Sequence, residues 1–240
     1  MASDEGYNVI EEEQWILDTI ERFKRAPLKI AIPKDGSLSD ISEEIFSSLG
    51  ISIPKRNKND RLSFATSPDG SVGIMYPRNK DLCLVVKKGW VDMAVVGTDR
   101  IVESGLGNIY GEIIDDSIRC IAPTSDLNWD AWKWDIVIAT ANPADIQNVN
   151  QISSVVTQYQ RIAEQYFSSI DQSVDIIASN GGTEAYAHFD VDAIVDLTDT
   201  GKSLKENKLT KMDVIFTVSP VLIVNTDCYR ENSILFKTNL

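Results

Sequence analysis

DAIVDLTDTGKSLKEN, residues 192–207, carries the chain from a greasy strand into a loop of threonines and one glycine, then into a charged helix. The Gly-Lys-Ser tripeptide invites a nucleotide-triphosphatase reading, but GxxxxGK[ST] requires a glycine five positions before Gly201, where the chain has Asp196. The spacing rules that motif out. What survives is a strand end delivering a Thr/Gly/Ser loop to a helix N-terminus. Unpaired backbone N–H groups and the helix dipole both favour an anion there.

Outward from this stretch the same unit recurs. LKIAIP (28–33) reads as a buried strand, and GSLSDISEEIFSSLG (36–50) as a helix with Ser37 or Ser39 as N-cap and Gly50 as its stop. Residues 54–76 read as hairpin or loop, Lys80 to Gly89 as a helix, and VDMAVVGTD (91–99) as a strand ending at Gly97 before the helix of IVESG. IRCIAP (118–123), DIVIAT (135–140), SVVT (154–157) and VDIIAS (174–179) are further strands, most of them separated by helix-length segments. Strands alternating with helices predict an α/β fold with mainly parallel sheets. The Pro-interrupted, strand-rich DVIFTVSPVLIVN (213–225) predicts a chain crossing back to an earlier sheet.

Composition sets limits on function. The 240 residues suit one large domain or two modest lobes, and 43% hydrophobic content supports a sizeable core. A formal net charge of −13 argues against nucleic acid or an anionic membrane as the main partner, so any phosphate must be held by local geometry. Cys83, Cys120 and Cys228 have no paired spacing, which indicates neither a disulfide framework nor a zinc site. The acidic start lacks an apolar signal region and no run reaches a membrane span, so a cytoplasmic location is expected. Residues 1–27 read as a helical extension with Ile16, Ile20 and Phe23 on one face, expected to pack on its own domain, with partner docking as the alternative.

Ligands of open α/β sheets bind beyond the C-terminal strand ends, where four loops pair glycine with hydroxyls or charge. They are Pro33-Lys34-Asp35-Gly36-Ser37, Gly97-Thr98-Asp99, Asn180-Gly181-Gly182-Thr183-Glu184, and Thr198-Asp199-Thr200-Gly201-Lys202-Ser203. Glycine lets backbone N–H groups approach an oxyanion, and a hydroxyl adds a donor. Asp196 or Asp199 is a candidate for sugar hydroxyls or Mg²⁺, and Glu184 is either a charge at a helix N-terminus or a ligand to a sugar hydroxyl, whereas Asp192 is placed at the strand's entry in a structural role. Lys34, Arg78, Lys80, Arg119 and Lys202 are candidates to neutralise phosphates. The lone His188 and the tryptophans of 128–134 are assigned to packing rather than chemistry, and no Ser/His/Asp or Cys/His set supports nucleophilic hydrolysis.

The ordered set LKIAIPKDGSL, RNKDLCLVVKKGWVDMAVVGTD, VVTQYQRIAEQYF, NGGTE, DAIVDLTDTGKSLKEN and SPVLIVN, spanning roughly residues 28–225, resembles ATP phosphoribosyltransferase, the first enzyme of histidine biosynthesis. The most specific element is DAIVDLTDTGKSLKEN, similar to that family's phosphoribosyl pyrophosphate signature, with Ser203 for the usual threonine. The resemblance implies two lobes like type II periplasmic binding proteins, with the active site in the inter-lobe cleft. The implied division is an extension at 1–27, lobe I at 28–118 and 213–240, and lobe II at 119–212. It also implies transfer of phosphoribosyl from phosphoribosyl pyrophosphate to N1 of ATP, with Mg²⁺ carried on substrate phosphates and no protein nucleophile.

Carried over by position, Thr198 to Ser203 with Asp196 and Glu184 would hold the donor. Lys34, Gly36, Arg78, Gly97 and Thr98 would face ATP or pyrophosphate. The chain looks like the family's short form, which implies a homo-oligomer and a regulatory subunit resembling histidyl-tRNA synthetase. Asp35 inserted in the first loop, Asn79 where proline is usual, and an unlike 126–153 segment depart from the pattern. A relative using another base, or a nucleotide-binding module without turnover, are the alternatives.

Overall fold

The computed structural model describes residues 9–56, 61–121 and 132–231. In chain order these form α1 (Val9–Arg25), β1 (Leu28–Ala31), α2 (Ser37–Ser48), β2 (Phe64–Thr66), β3 (Val72–Met75), α3 (Leu82–Lys87) and β4 (Met93–Gly97). There follow α4 (Thr98–Glu103), β5 (Ile118–Ile121), β6 (Trp134–Thr140), β7 (Ser154–Thr157), α5 (Gln160–Ser169) and β8 (Asp175–Ala178). A 3-10 turn (Thr183–His188), β9 (Ala193–Thr198), α6 (Lys202–Glu206), β10 (Thr210–Val218), β11 (Pro220–Asn225) and α7 (Thr226–Glu231) complete the chain.

The chain divides into two compact units. The first comprises the chain up to Val95, Ser117–Ile121 and the chain from Leu222, and the second Val96–Asp116 and Ala122–Val221. The first sheet runs β2-β3-β1-β4-β11-β5 and the second β10-β6-β9-β7-β8. Around β1 and β7 the pairing is parallel, β1 with β3 and β4, β7 with β8 and β9. β2 with β3, β11 with β5, β10 with β6 and β6 with β9 are antiparallel, so each sheet is mixed rather than mainly parallel. The short link between β2 and β3 can join only antiparallel neighbours. β10 lies antiparallel along β6, and β6 antiparallel along β9. The ladder with β6 explains why β10 belongs to the second unit while β11, beyond Pro220, pairs with β5 in the first sheet.

In the first unit, Ile30, Ile74 and Val95 of the central strands are buried with Leu82, Val85 and Val86 of α3. Among the described side chains of helix α1, the buried one lies towards its C-terminal end. Phe23 is buried and its ring lies 4.8 Å from that of Phe64, whereas Trp15 and Leu17 are each 57% exposed. The expectation of a helix packed on its own domain therefore holds for its last turns. Helix α2 starts on Gly36, with φ 86° and no side-chain cap, and not on Ser37 or Ser39. Both serines lie inside the helix, because the turn closes through the backbone, Ser39 N donating to Gly36 O at 3.0 Å.

In the second unit, strand alternation splits the core across the two sheet faces. Ile136, Ile138, Val155, Ala193 and Val195 pack with Ile162 and Phe167 of α5. Val137, Ala139, Val156 and Ile194 pack with Ala187 of the 3-10 turn and Leu204 of α6. Trp134 packs against the first of these faces, in keeping with a covering role, while Trp129 lies outside the described residues.

Candidate active site

Parallel pairing of β8, β7 and β9 sends the chain out of all three strands at one edge of the second sheet. Three segments meet there: Gln158-Tyr159 after β7, Asn180 to Glu184 after β8, and Thr198 to Ser203 after β9. Period-two alternation puts Asp196 on the same face as Ile194, the face covered by the 3-10 turn and α6.

Asp196 ties the three segments together. Its carboxylate accepts from the hydroxyl of Thr183, from Gln158 Nε2 at 3.3 Å and from the backbone N–H of Leu197 at 2.7 Å. Burial raises its pKa above the ordinary carboxylate value and the charge of Glu184 adds to the rise; the Leu197 and Gln158 donors and the charge of Arg100 oppose it. Asp196 and Glu184 thus come to the same edge of the sheet, through Thr183 beside Glu184. Gln158, which sequence reasoning passed over, is the third member. The strand order that places Gln158 at this edge is not itself written in the sequence.

In the β9–α6 loop, Gly201 has φ 71°, the left-handed region that glycine adopts without cost, and nothing lies within 4 Å of where its Cβ would be. Gly201 N–H donates to Thr198 Oγ1 at 3.1 Å, which folds the loop back on itself. Thr198, Asp199, Thr200 and Gly201 line an open cavity of about 550 Å³ together with Lys205, Lys208 and Lys211. Lys202 and Ser203 do not line it. The Lys202 side chain is exposed and lies 3.7 Å from Glu206. The lone His188 meets the backbone carbonyl of Asn207 at 2.9 Å.

Gly97 and Thr98 sit where β4 becomes α4. Thr98 and Ser219 clasp each other, Thr98 N–H donating to Ser219 O at 3.0 Å and Ser219 N–H to Thr98 Oγ1 at 3.1 Å. A Cβ at Gly97 would strike Asp99 Oδ1, so the missing side chain makes room for a buried carboxylate. In the first unit, Lys34 N–H donates to Pro77 O at 2.9 Å, which joins the loop after β1 to the loop carrying Arg78. Lys34 and Gly36 line a cavity of about 550 Å³ with Lys55 and Arg56; Arg78 is outside that lining.

These features define an α/β protein of two sheets with a glycine-centred loop at the carboxyl edge of a parallel β8-β7-β9 trio. The sequence profile of the ATP phosphoribosyltransferase family matches residues 78–239, and the chain belongs to that family. The match includes Arg78, Gly97, Thr98, Glu184, Asp196 and the 198–203 loop; Lys34 and Gly36 lie before it. The ATP phosphoribosyltransferase of Ruminiclostridium cellulolyticum is 31% identical over 203 residues, 82% of this chain and 86% of that one. That of Haloarcula marismortui is 29% identical over 203 residues, 83% of this chain and 66% of its own length. The chain thus spans about two thirds of the archaeal relatives it matches.

Among solved structures, the ATP phosphoribosyltransferase HisG:HisZ complex from Thermotoga maritima superposes with a TM-score of 0.64 at 22% identity, covering 88% of this chain and 96% of that one. A Candida albicans protein described as having the generic periplasmic binding protein fold gives 0.50 at 12% identity, covering 88% and 67%. The fold is therefore that of the type II periplasmic-binding-protein group, as the sequence predicts.

Proposed function

We propose that the protein transfers the phosphoribosyl group of phosphoribosyl pyrophosphate to N1 of ATP, giving phosphoribosyl-ATP and pyrophosphate. The adenine N1–C1 bond forms as the bond from the anomeric carbon to the pyrophosphate oxygen breaks, and the bonding electrons leave with pyrophosphate. The observation that carries this reading is the Gly201 loop, an anion-accepting turn at β9 in a chain of this family. Backbone donors of the loop would hold the ribose 5-phosphate, with Lys205, Lys208 and Lys211 supplying positive charge around the cavity. Asp196 and Glu184 would take the ribose side. An anomeric centre that dissociates needs anchored phosphates and an oriented nucleophile more than a protein nucleophile.

Mg²⁺ would arrive with the donor's pyrophosphate, a role that needs few protein ligands because the ion keeps waters and phosphate oxygens in its shell. The cavity at Lys34 and Gly36 is assigned to polyphosphate oxygens of ATP or pyrophosphate. No helix of the described residues is long and apolar enough to cross a membrane. A cytoplasmic location, a homo-oligomer and a regulatory subunit resembling histidyl-tRNA synthetase complete the proposal, with the exposed Trp15 and Leu17 of α1 as docking residues.

The test is formation of the N1-substituted adenine product, followed by absorbance with phosphoribosyl pyrophosphate, Mg²⁺ and ATP, alone and with a candidate partner subunit. Pyrophosphate release with another base but not with ATP would replace the acceptor. Absence of donor binding would remove the enzyme reading.

A further inference from the structure

Behind the carboxyl edge of the second sheet lies a group of ionisable side chains that the proposed reaction leaves unused. Asp99 is 4% exposed, and Arg100 Nε lies 2.8 Å from Asp99 Oδ2. The guanidinium also lies over the ring of buried Tyr159, its Cζ 4.9 Å from the ring centre. The Nε–H is not aligned for a hydrogen bond with Asp99, as expected of sequence neighbours, so the pairing is one of charge. Arg100 thus leans on Tyr159 rather than on a bidentate carboxylate fork.

Tyr159 begins the corner that leads from β7 into α5. Its N–H donates to Thr157 Oγ1 at 2.8 Å, and the Thr157 hydroxyl donates to Val195 O at 2.6 Å. Gln158, between them, reaches Asp196, and its Oε1 lies 4.0 Å from the Cβ position of Gly181 in the turn after β8. From the other side, Glu103 of α4 accepts the backbone N–H of Ile162 at 2.9 Å, fixing the first turn of α5 to the same helix that carries Arg100.

We infer that Arg100 is a positioning residue for the phosphoribosyl donor, holding the Gln158-Tyr159 corner from behind with Asp99 as its charge partner. The inference rests on the donor site proposed above. The charged and titratable groups facing this region are Asp99, Arg100 and Glu103 of α4, Tyr159 at the start of α5, Glu184 of the 3-10 turn and Asp196 of β9. Arg161 of α5 turns instead to Gly105. Burial raises the pKa of Asp99, Glu103 and Asp196 in turn, and the charge of Arg100 lowers each of the three. Loss of the guanidinium frees Tyr159 and the adjacent Gln158, whose hydrogen bond favours the Asp196 carboxylate.

The test compares wild type with Arg100→Met and Arg100→Lys in two measurements on the whole chain. In the first, carboxyl carbons of ¹³C-labelled aspartate are titrated without Mg²⁺, Asp196 being assigned with Asp196→Asn. The expected result is an Asp196 midpoint that moves up in Arg100→Met and stays near wild type in Arg100→Lys. In the second, phosphoribosyl pyrophosphate binding with Mg²⁺ is followed by calorimetry across pH. The expected result is affinity weakened severalfold in Arg100→Met and kept near wild type in Arg100→Lys. The KM for ATP is expected to stay within twofold.

An unchanged Asp196 midpoint in Arg100→Met overturns the inference, as does donor binding equal to wild type. If wild type binds no donor, the functional reading falls while the titration still decides the role of Arg100. Should Arg100→Met not fold, Arg100→Gln, uncharged but planar over Tyr159, takes its place in both measurements.

Discussion

Asp192 Oδ2 accepts from the backbone N–H groups of Ser153 at 2.7 Å and Ser154 at 3.0 Å, and from both hydroxyls, at 2.6 and 3.3 Å. One carboxylate oxygen thereby pins the entry of β9 to the entry of β7, at the end of the sheet away from the Gly201 loop. Burial alone would raise its pKa, but the donors of Ser153 and Ser154 outweigh burial and leave the value lowered. A carboxylate lowered in the folded state contributes stability above its unfolded value, about 3.9, and loses it as pH falls through the folded value. Asp192→Ala is expected to cost about 1–2 kcal/mol at neutral pH, screened because the group is partly exposed. Urea unfolding across pH should show that gap closing in acid; a gap independent of pH would refute the assignment.

Helix α5 has no side-chain cap of its own, and Glu103 supplies one from the end of α4 by accepting the N–H of Ile162 at 2.9 Å. A carboxylate at a helix N-terminus satisfies an orphan donor and meets the positive end of the dipole. Glu103→Ala is expected to destabilise by about 1 kcal/mol, the usual loss of a cap, and Glu103→Gln by less because it keeps an acceptor. Hydrogen exchange should localise the loss to the first turn of α5; uniform loss across the second unit would contradict a capping role.

Gly201 adopts φ 71° with open space where a Cβ would stand. Gly201→Val therefore meets backbone strain rather than a clash, about 1–2 kcal/mol for a left-handed residue and more for a β-branched one. Donor binding should weaken at least tenfold, because relieving the strain turns the loop's N–H groups. Normal calorimetric affinity for phosphoribosyl pyrophosphate in a folded Gly201→Val protein would show that this loop does not hold the phosphate.

Lys208 follows α6 at φ 55°, a left-handed position occupied by a residue with a Cβ. Lys208→Gly removes that strain at the cost of extra freedom in the unfolded chain, a net gain of about 0.5–1 kcal/mol. The melting temperature should rise by a few degrees; a fall would mean that the Lys208 side chain contributes more than its backbone costs.

Most strands and their order along the chain are legible because each is a short apolar run closed by glycine, proline or hydroxyl residues, whereas β2 and β3 lie in the 54–76 stretch that reads as hairpin or loop. The 198–203 loop was legible because it interrupts such a run. What could not be read is lateral order. Nothing in SVVT, VDIIAS or DAIVDL says that β7 lies between β8 and β9, so Gln158 and Tyr159 passed as the start of a helix. Arg100 carries no signal in the sequence, since its burial against Tyr159 depends on how α4 meets α5. Gly97 was read as an approach for an oxyanion, whereas its missing Cβ accommodates Asp99, a contact two residues away that only the backbone path reveals.

Asp196 carries the opposite sign of pH dependence to Asp192, four residues earlier on the same strand. Burial raises its pKa in the folded state, so its contribution to stability is full below the unfolded carboxylate value, about 3.9, and declines as pH rises through the folded value. Asp196→Asn removes the charge while keeping the size and one acceptor oxygen. Below that value the two proteins should unfold at nearly the same urea concentration; above it, the variant should become progressively the more stable, until the gap levels off beyond the folded pKa. The same variant should bind phosphoribosyl pyrophosphate poorly, since the carboxylate that costs stability is the one proposed to hold the ribose. A variant less stable than wild type at every pH would mean that the hydrogen bonds to Thr183 and Leu197 outweigh the burial of charge. Undiminished donor affinity would separate Asp196 from the substrate altogether.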